Sequence, residues 1–303
     1  MAAVIEPAIL AAIHARLDRA LAGPAIRLRP FVVRGVTSGF VDDARAERLA
    51  RFGPGVFDVD ADRLALAAGL RDERSRSAAM ADVARTLRSE GALPGWRDEL
   101  YRIAATFDAE PLFYLERGAA RYFGVRTYAA HVNGIVRTPR STSMWLARRS
   151  PAKAIDPGML DNLVGGGISA DLSVRDTVIK EAWEEAGIGQ ALAATAQPAG
   201  AVHLLRYLPD GLQRETVFVH DLVLPPGFQP VNQDGEATEH RLVDVMDAAR
   251  TIAVDAGPEE VTVDASVVIL DFLIRNGDVR GNQPDFSALA ALRYRGAGDP
   301  AVR

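Results

Sequence analysis

Cysteine is absent from this 303-residue sequence, and its absence excludes three kinds of site. Without thiols the chain can form neither a disulfide nor a thiolate zinc centre, and it has no cysteine nucleophile. Any bound metal must therefore be held by oxygen or imidazole ligands. Oxygen ligands are those preferred by a hard cation such as Mg2+ (or Mn2+).

An excess of positive charge and long apolar runs are also missing. The formal net charge is -5 at pH 7, which argues against a nucleic-acid partner bound through a broad basic surface. No stretch approaches about 18 consecutive apolar residues, and the start of the chain lacks the pattern of a signal peptide. We therefore expect a cytoplasmic protein with no nucleic-acid partner and no membrane partner.

The composition is that of an ordinary globular protein, with 48% hydrophobic and 25% charged residues. The length favours two domains. Residues 1–117 are predicted to form the smaller, N-terminal α+β domain, with short strands and with helices at 1–22, 43–52 and 77–91.

Residues 118–303 show a different order of elements. Apolar segments predict strands at 126–138, 143–150, 201–208 and 215–224. Two helices are predicted at 244–252 and 263–276. This order indicates a mixed sheet flanked by helices, so the whole chain is assigned to the α+β class.

An acidic helix is the feature of this second region that carries chemistry. Ser173 can cap a helix that begins at Val174, and Gly187 would end it. Glu181, Glu184 and Glu185 stand at positions i, i+3 and i+4, so their side chains share one face, with Cβ atoms roughly 5 to 6 Å apart. Such a cluster is repulsive without a cation, and magnesium or manganese would relieve the repulsion.

The opposite face of this helix can dock on a sheet through its apolar residues, which are Val178, Ile179, Ala182 and Ala186, with Trp183 beside them. A solvated acidic face is the simpler interpretation of three glutamates taken alone. The surrounding sequence favours the metal-binding interpretation.

The helix and the glycine run before it resemble the Nudix box. Gly166 and the run from Lys180 to Ile188 match a glycine, five residues, a glutamate, seven residues, then Arg-Glu-apolar-any-Glu-Glu-any-Gly-apolar. Lys180 replaces the arginine, which keeps the charge but loses the planar fork. Leu172 replaces the first glutamate, and Asp171 beside it is out of register.

Further segments resemble one Nudix subfamily, which has a DUF4743-type N-terminal extension and is related to the Nudix part of thiamine pyrophosphokinase-like proteins. They are WRDELY, FGV, HVNG, ARRSPAKA and PGMLDNLVGGG, at 96–101, 123–125, 131–134, 147–154 and 157–167. The resemblance covers roughly residues 20 to 280. It implies a Nudix fold, Mg2+, and hydrolysis of thiamine diphosphate or its oxidised analogues to the monophosphate.

The candidate metal ligands are Glu181, Glu184 and Glu185, and the candidate catalytic residues are Lys180, Glu184, Glu185 and Glu236. Glu236 and Glu239 follow the last predicted strand, where Nudix enzymes commonly supply a further acidic ligand or base. Either Glu184 or Glu236 could take the proton from water, and the sequence leaves this assignment open. Loop acids are also often merely solvated.

Several other residues are candidates for binding a small-molecule diphosphate substrate. His131 and Asn133 alternate along a predicted strand and should point to the same side of the sheet. The basic residues that precede the glycine run could bind phosphate; they are Arg148, Arg149 and Lys153. Gly166, within the glycine run, is also a candidate substrate-binding residue. Trp96 and Trp145, and also Tyr101, could stack on a cationic heteroaromatic ring, although burial in the core is the commoner role of tryptophan.

Other functions remain as alternatives. Gly165, Gly166 and Gly167 lack the spacing and the Lys-Ser/Thr ending of a P-loop. A Nudix-fold isomerase typically relies on a cysteine, which is absent here, and a non-catalytic ligand sensor would be expected to lose metal-facing carboxylates. Hydrolysis of ADP-ribose or another nucleoside-diphosphate-linked substrate stays open, as does a homodimer. We expect residues 1–117 to affect substrate selection more than metal binding.

Overall fold

A computed structural model describes residues 4–23 and 25–300. The first helix is α1 (Pro7–Ala20), shorter than the predicted 1–22, and residues 1–3 of that prediction lie outside the described residues. The remaining elements before residue 118 are β1 (Leu28–Val33), β2 (Val36–Asp42), α2 (Asp43–Ala50), β3 (Phe57–Val59), β4 (Leu64–Leu66), α3 (Glu73–Ser89), β5 (Leu100–Ile103) and β6 (Phe113–Glu116).

The N-terminal sheet has the strand order β2-β1-β4-β3, and β5 and β6 form a separate antiparallel pair. Phe31 lies at the centre of its core, in contact with the rings of Phe57, Phe113 and Phe123. Side-chain caps fix the helix starts, since Asp42 accepts the amide of Arg45. An N-terminal α+β unit with its own core is therefore present.

The second region carries a seven-stranded mixed sheet. Its elements are β7 (Arg126–Arg137), β8 (Thr142–Arg149), β9 (Leu160–Asn162), β10 (Val164–Gly167), α4 (Val174–Ala186), α5 (Gln190–Ala193), β11 (Gln197–Leu208), β12 (Gly211–Val223), β13 (Ala237–Asp244), α6 (Val245–Ile252), α7 (Val263–Arg275) and α8 (Phe286–Leu292). The strand order is β11-β12-β7-β8-β13, with β10 on β7 and β9 on β8. Strands β7 and β12 run parallel, and the other pairs are antiparallel.

Two apolar clusters hold helices against this sheet. Ala130 and Val132 of β7 pack with α4, whereas Ala129 and Ile135 of the same strand pack with α6, α7 and α8. The predicted α+β class, with a helix-flanked mixed sheet after a smaller α+β domain, is confirmed. Strand β13 corrects one detail, because Glu239 lies within a strand rather than after the last one.

Helix α1 packs into the core of the second region, although it lies within the first 117 residues. Leu10, Ile13 and Leu17 are fully buried in the cluster that also contains α6, α7 and α8. The buried guanidinium of Arg16 donates to the carbonyl of Ile252 at 3.0 Å. The division at residue 117 stays a prediction, but the chain before it contributes to both cores.

Backbone hydrogen bonds also join the two regions. The amide of Phe40 donates to the carbonyl of Phe123 at 3.0 Å, and the amide of Ala170 donates to the carbonyl of Leu100 at 2.8 Å. The second bond fixes β5 beside the segment that leads into α4. Within residues 4–23 and 25–300, no helix is both long enough and apolar enough to cross a membrane.

Candidate active site

Helix α4 presents its acidic face to a cleft and its apolar face to the sheet. The hydroxyl of Ser173 accepts the amide of Asp176 at 3.1 Å, and Gly187 ends the helix with a positive φ of 65°, both as expected. Val178 and Ala182 are buried against the sheet. Trp183 differs from the expectation, since 54% of its surface is exposed and it does not take part in this packing.

Lys180 holds two of the three helix carboxylates. Its ammonium group donates to Glu181 at 2.9 Å and to Glu184 at 2.7 Å. Burial raises the pKa of Glu181, and the neighbouring Lys180 acts in the opposite direction. The lysine in the position of the box arginine therefore balances the charge of two neighbouring carboxylates.

Glu185 is the buried member of the three, with 8% of its surface exposed. Its carboxylate accepts the amide of Gly165 at 2.8 Å, and the ammonium group of Lys153 lies 3.9 Å away. Burial raises the pKa of Glu185 to about 8, although Lys153 and the Gly165 amide act to lower it. This carboxylate is thus desolvated and incompletely compensated, which favours the binding of a cation.

Glu236 joins the same group through Lys153. The ammonium of Lys153 donates to Glu236, so this lysine lies between two carboxylates, as Lys180 does. Burial acts to raise the pKa of Glu236, but the charge of Lys153 outweighs it and brings the pKa below its usual value. Four carboxylates and two lysines are therefore gathered in one place.

Gly166 is needed where β10 passes Glu181. A Cβ atom on this glycine would lie 2.5 Å from the side-chain Cδ of Glu181, which is closer than real side chains approach. The glycine of the box thus leaves room for the carboxylate to lie against the strand. The prediction placed Gly166 at the site, and the structure places it on the cleft wall.

The acidic face of α4 lines a cleft with a volume of about 900 Å³, which lies between the two regions. Of the predicted site residues, the lining includes His131, Arg149, Lys153, Gly166, Lys180, Glu181, Glu184 and Glu236. Glu185 lies directly behind Gly165, which is itself part of the lining. A cleft of this size can hold a small organic diphosphate.

The donor atoms of the cleft suit a hard divalent cation, although the carboxylates face lysines here. Within the described part of the chain, no three His, Asp or Glu side chains stand together in the geometry of a metal site. The oxygens of Glu181 and Glu184 converge instead on one ammonium group, and those of Glu185 and Glu236 on another. An oxygen-only set with a desolvated carboxylate is the chemistry that Mg2+ prefers.

The predicted phosphate-binding arginines are engaged in other contacts. Arg148 does not line the cleft, and its guanidinium donates to Glu239 at 2.9 Å and to the carbonyl of Gly158 at 2.9 Å. Hydrogen bonds from Arg241 and, to a lesser extent, Arg148 lower the pKa of Glu239 to about 2. Arg149 reaches the cleft, but it donates to Asp161 at 2.8 Å and to two backbone carbonyls.

His131 and Asn133 are linked through a third residue. Nδ1 of His131 lies 2.8 Å from the amide oxygen of Asn162, whose amide nitrogen donates to Asn133 at 3.2 Å. Asn133 also donates to Asp221 at 3.0 Å. His131 lines the cleft, whereas Asn133 is fully buried behind it and supports the chain of hydrogen bonds.

Neither predicted stacking tryptophan lines the cleft. Trp145 is buried in the apolar cluster beneath α4, because the alternation of β8 turns it toward that core. The indole of Trp96 donates to Asp98 at 2.6 Å, and its ring lies beneath the guanidinium of Arg88. Tyr101 is an aromatic residue that the structure does place at the cleft.

The cleft also contains polar residues that the sequence alone did not single out, among them Arg97, Glu99, Arg117, Asp156, Glu215 and Asp264. Glu215 stands at the start of an apolar strand segment, and a charged residue in such a segment could have drawn attention to it. For Arg97 and Arg117 no local pattern distinguishes them from surface arginines. Only the packing of the two regions brings them to the site.

Comparisons with known proteins agree with this architecture. Residues 127–263 match the family described as NUDIX domain, and residues 16–127 match a domain of unknown function, DUF4743. Nudix hydrolase 24, a chloroplastic protein of Arabidopsis thaliana, is 36% identical over 85% of this chain and 70% of its own length. Nudix hydrolase 20, chloroplastic, of the same plant is 39% identical over 75% of this chain and 59% of its own length. A solved MutT protein from Methanosarcina mazei aligns with 50% of this chain and 95% of its own at 19% identity, with a TM-score of 0.37.

The chain therefore belongs to the Nudix hydrolase family, with a DUF4743 domain before its Nudix domain. It is an enzyme of the class that hydrolyses diphosphate bonds in small molecules. Nudix hydrolases generally use divalent metal ions such as Mg2+ or Mn2+.

Proposed function

We propose that this Nudix hydrolase uses Mg2+ (or Mn2+) to cleave thiamine diphosphate or its oxidised analogues to the monophosphate. The observation that carries the proposal is the gathering of Glu181, Glu184, Glu185 and Glu236 at one cleft of about 900 Å³. Metal ligands, a base and room for a small organic diphosphate are thus available together.

Glu181, Glu184 and Glu185 would hold the cation. When bound, Mg2+ supplies neutralisation of the negative charge that develops on the diphosphate oxygens and a lowered pKa for water. Lys180 and Lys153 keep the four carboxylates close together before the cation arrives, because each ammonium group bridges two of them.

A base must take the proton from the attacking water. Glu184 and Glu236 are the more accessible carboxylates, with 36% and 42% of their side-chain surface exposed, whereas Glu185 is buried. We therefore assign the base to Glu184 or Glu236 and the role of metal ligand to Glu185.

The cleft carries acidic residues outside α4 that suit a substrate with a cationic organic group. Asp156, Glu215 and Asp264 line the cleft, and burial raises the pKa values of Asp156 and Glu215. A bound cation would compensate the negative charge of these carboxylates, which burial otherwise disfavours. The thiazolium ring of thiamine diphosphate carries such a charge, and the neutral terminal ribose of ADP-ribose does not.

A competition assay tests both parts of the proposal. Purified protein with Mg2+ is given thiamine diphosphate, its oxidised analogues and ADP-ribose at equal concentrations, and kcat/KM is compared because it measures discrimination. We expect the thiamine compounds to be preferred. A preference for ADP-ribose of about tenfold or more would overturn the thiamine assignment and leave a diphosphate hydrolase.

A matched variant separates the two parts. Glu215→Gln removes an acidic group from the cleft without touching α4. It should reduce kcat/KM for thiamine diphosphate while leaving that for ADP-ribose nearly unchanged. Equal losses with both substrates would contradict recognition of the cation, and absence of any Mg2+-dependent hydrolysis by the wild type would contradict the proposed function itself.

A further inference from the structure

Two arginines of the DUF4743 region lie on the wall of the cleft. Arg97 precedes β5, and Arg117 begins the 3-10 turn that follows β6. Burial acts to raise the pKa of Glu236, but the charge of Lys153, followed by those of the two arginines, brings it below its usual value. Both guanidinium groups therefore lie within electrostatic reach of the carboxylates at the site.

We propose that Arg97 and Arg117 bind the diphosphate group of the substrate, so that the N-terminal domain supplies the phosphate-binding arginines of the active site. The inference rests on the proposed function and deepens it. It assigns to the DUF4743 region a direct contact with the part of the substrate that all diphosphates share.

Other basic residues near the glycine run already have partners. Arg149 donates to Asp161 and to two carbonyls, and Lys153 is held between Glu185 and Glu236. In contrast, the exposed side chain of Arg97 makes no hydrogen bond or ion pair among the described residues. Its guanidinium is therefore available to an anion that enters the cleft.

Arg117 is held in one orientation, but not all of its N–H groups have a hydrogen-bond acceptor. One of its N–H groups donates to Glu99 at 2.7 Å, and its guanidinium lies over the ring of Tyr101, 5.7 Å from the centroid. A guanidinium has five N–H donors, so most of them remain for another acceptor. About 37% of the side chain is exposed. Such a group can bind a phosphate through two parallel hydrogen bonds.

One rigid element presents both arginines. The buried carboxylate of Glu116 accepts the amide of Arg97 at 2.8 Å and the amide of Gly118 at 3.2 Å. A Cβ atom on Gly118 would lie 2.7 Å from the carbonyl oxygen of Gly95, so only glycine allows these two backbone segments to meet. Preorganised donors lose less entropy when a ligand binds.

The same element is fixed to the Nudix domain beside the catalytic helix. The bond between the Ala170 amide and the Leu100 carbonyl joins β5 to the segment that precedes α4. The arginines and the carboxylates of α4 thus line one cleft from two domains. A diphosphate between them would meet cationic donors on one side and the metal-binding carboxylates on the other.

Isothermal titration with methylenediphosphonate, a non-hydrolysable diphosphate, in the presence of Mg2+ tests the inference. The variants are Arg97→Gln, Arg117→Gln and the double variant, since glutamine removes the positive charge but keeps a polar side chain. Arg140→Gln is the matched control, because Arg140 is exposed in the turn between β7 and β8. We expect each single variant to raise the Kd about tenfold, and the control to leave it unchanged.

Kinetics and a rescue variant separate phosphate binding from a structural role. KM for thiamine diphosphate should rise more than kcat falls, and Arg117→Lys should restore only part of the affinity because lysine lacks the planar fork. The melting temperatures of all variants should stay close to that of the wild type. If Arg117→Gln unfolds, Arg97→Gln and Arg117→Lys decide the matter. Arg97→Gln leaves the ion pair between Arg117 and Glu99 in place, and Arg117→Lys keeps a positive charge beside Glu99.

The outcomes distinguish the inference from the proposed function. Folded arginine variants that keep the wild-type Kd for methylenediphosphonate would overturn the inference, even if hydrolysis by the wild type is normal. A wild type that binds methylenediphosphonate through these arginines but hydrolyses no diphosphate would support the inference and contradict the proposed function. A wild type that does not bind the compound in the presence of Mg2+ would also overturn the inference.

Discussion

Substitution of Glu185 by glutamine removes the charge of this carboxylate and keeps its place in the fold. The amide oxygen of glutamine can still accept the Gly165 hydrogen bond, and Lys153 keeps Glu236 as its partner. The side chain keeps nearly the same volume and loses only its charge. We therefore expect Glu185→Gln to fold like the wild type.

The stability effect follows from the pKa of Glu185, which burial raises from 4.5 to about 8. Between these two values the folded state binds more protons than the unfolded state, so the free energy of unfolding falls as the pH rises. The difference of about 3.5 units, at about 1.4 kcal/mol per unit, comes to ~5 kcal/mol as an upper figure. Glutamine does not titrate, so the variant escapes this loss.

Urea denaturation at pH 5 and at pH 8.5, with a chelator present, measures the effect. The free energy of unfolding of Glu185→Gln, relative to the wild type, should be higher at pH 8.5 than at pH 5 by a few kcal/mol. Glu47→Gln, an exposed change on α2, is the control and should give the same difference at both pH values. An equal difference for Glu185→Gln at both pH values would refute the reasoning.

The same variant tests the metal assignment. Residues that hydrogen-bond the ligands of a metal site typically contribute about 10- to 100-fold to activity, so loss of a direct ligand should lower diphosphate hydrolysis by on the order of 100-fold or more. The assay is turnover at saturating Mg2+ in protein shown to be folded. Near-normal turnover would remove Glu185 from the set of ligands.

Three further predictions follow from the packing. Gly166→Ala should lower kcat by about 10- to 100-fold, because its Cβ would displace Glu181. The control is Gly189→Ala, where a Cβ meets nothing within 4 Å. Equal kcat values for both variants would contradict a role for the close approach of Gly166 to Glu181. Lys180→Gln should lower kcat/KM about tenfold at saturating Mg2+, since Glu181 and Glu184 lose their shared ammonium group. Lys180→Arg, which keeps the positive charge, should retain more activity than Lys180→Gln. A glutamine variant with unchanged kcat/KM would show that this ion pair is dispensable. A fragment of residues 118–303 should show no cooperative thermal transition by circular dichroism, because it lacks the buried side chains of Leu10, Ile13 and Leu17. Burial of each side chain contributes about 1.5–3 kcal/mol, against a typical free energy of unfolding of about 5–15 kcal/mol. A cooperative transition in the fragment would show that α1 is not needed.

The last of these predictions changes how the N-terminal domain can be studied. The sequence led us to expect that residues 1–117 influence substrate selection more than metal binding. Because α1 belongs to the core of the second region, a simple truncation would confound this effect with loss of folding. Point variants of Arg97 and Arg117 examine the expectation without removing the core.

Local patterns in the sequence determined the catalytic helix. The cap at Ser173, the stop at Gly187 and the spacing of the three glutamates all depend on residues within one or two turns of one another. Such interactions act at short range, so they can be derived without knowledge of the fold. The main strands β7, β8, β11 and β12 were also predicted from local signals, whereas the resemblance to the Nudix box assigned Gly166 to the site.

Only the tertiary structure decided which side chains meet across long separations in the chain. Lys153 reaches Glu236, Trp145 turns into the core instead of the cleft, and Arg117 reaches the site from another domain. Hydrophobic burial is not directional, so the sequence of α1 showed an apolar face without showing which core would receive it. Contacts of this kind depend on how whole elements pack together, and the residues that make them carry no local mark of their partners.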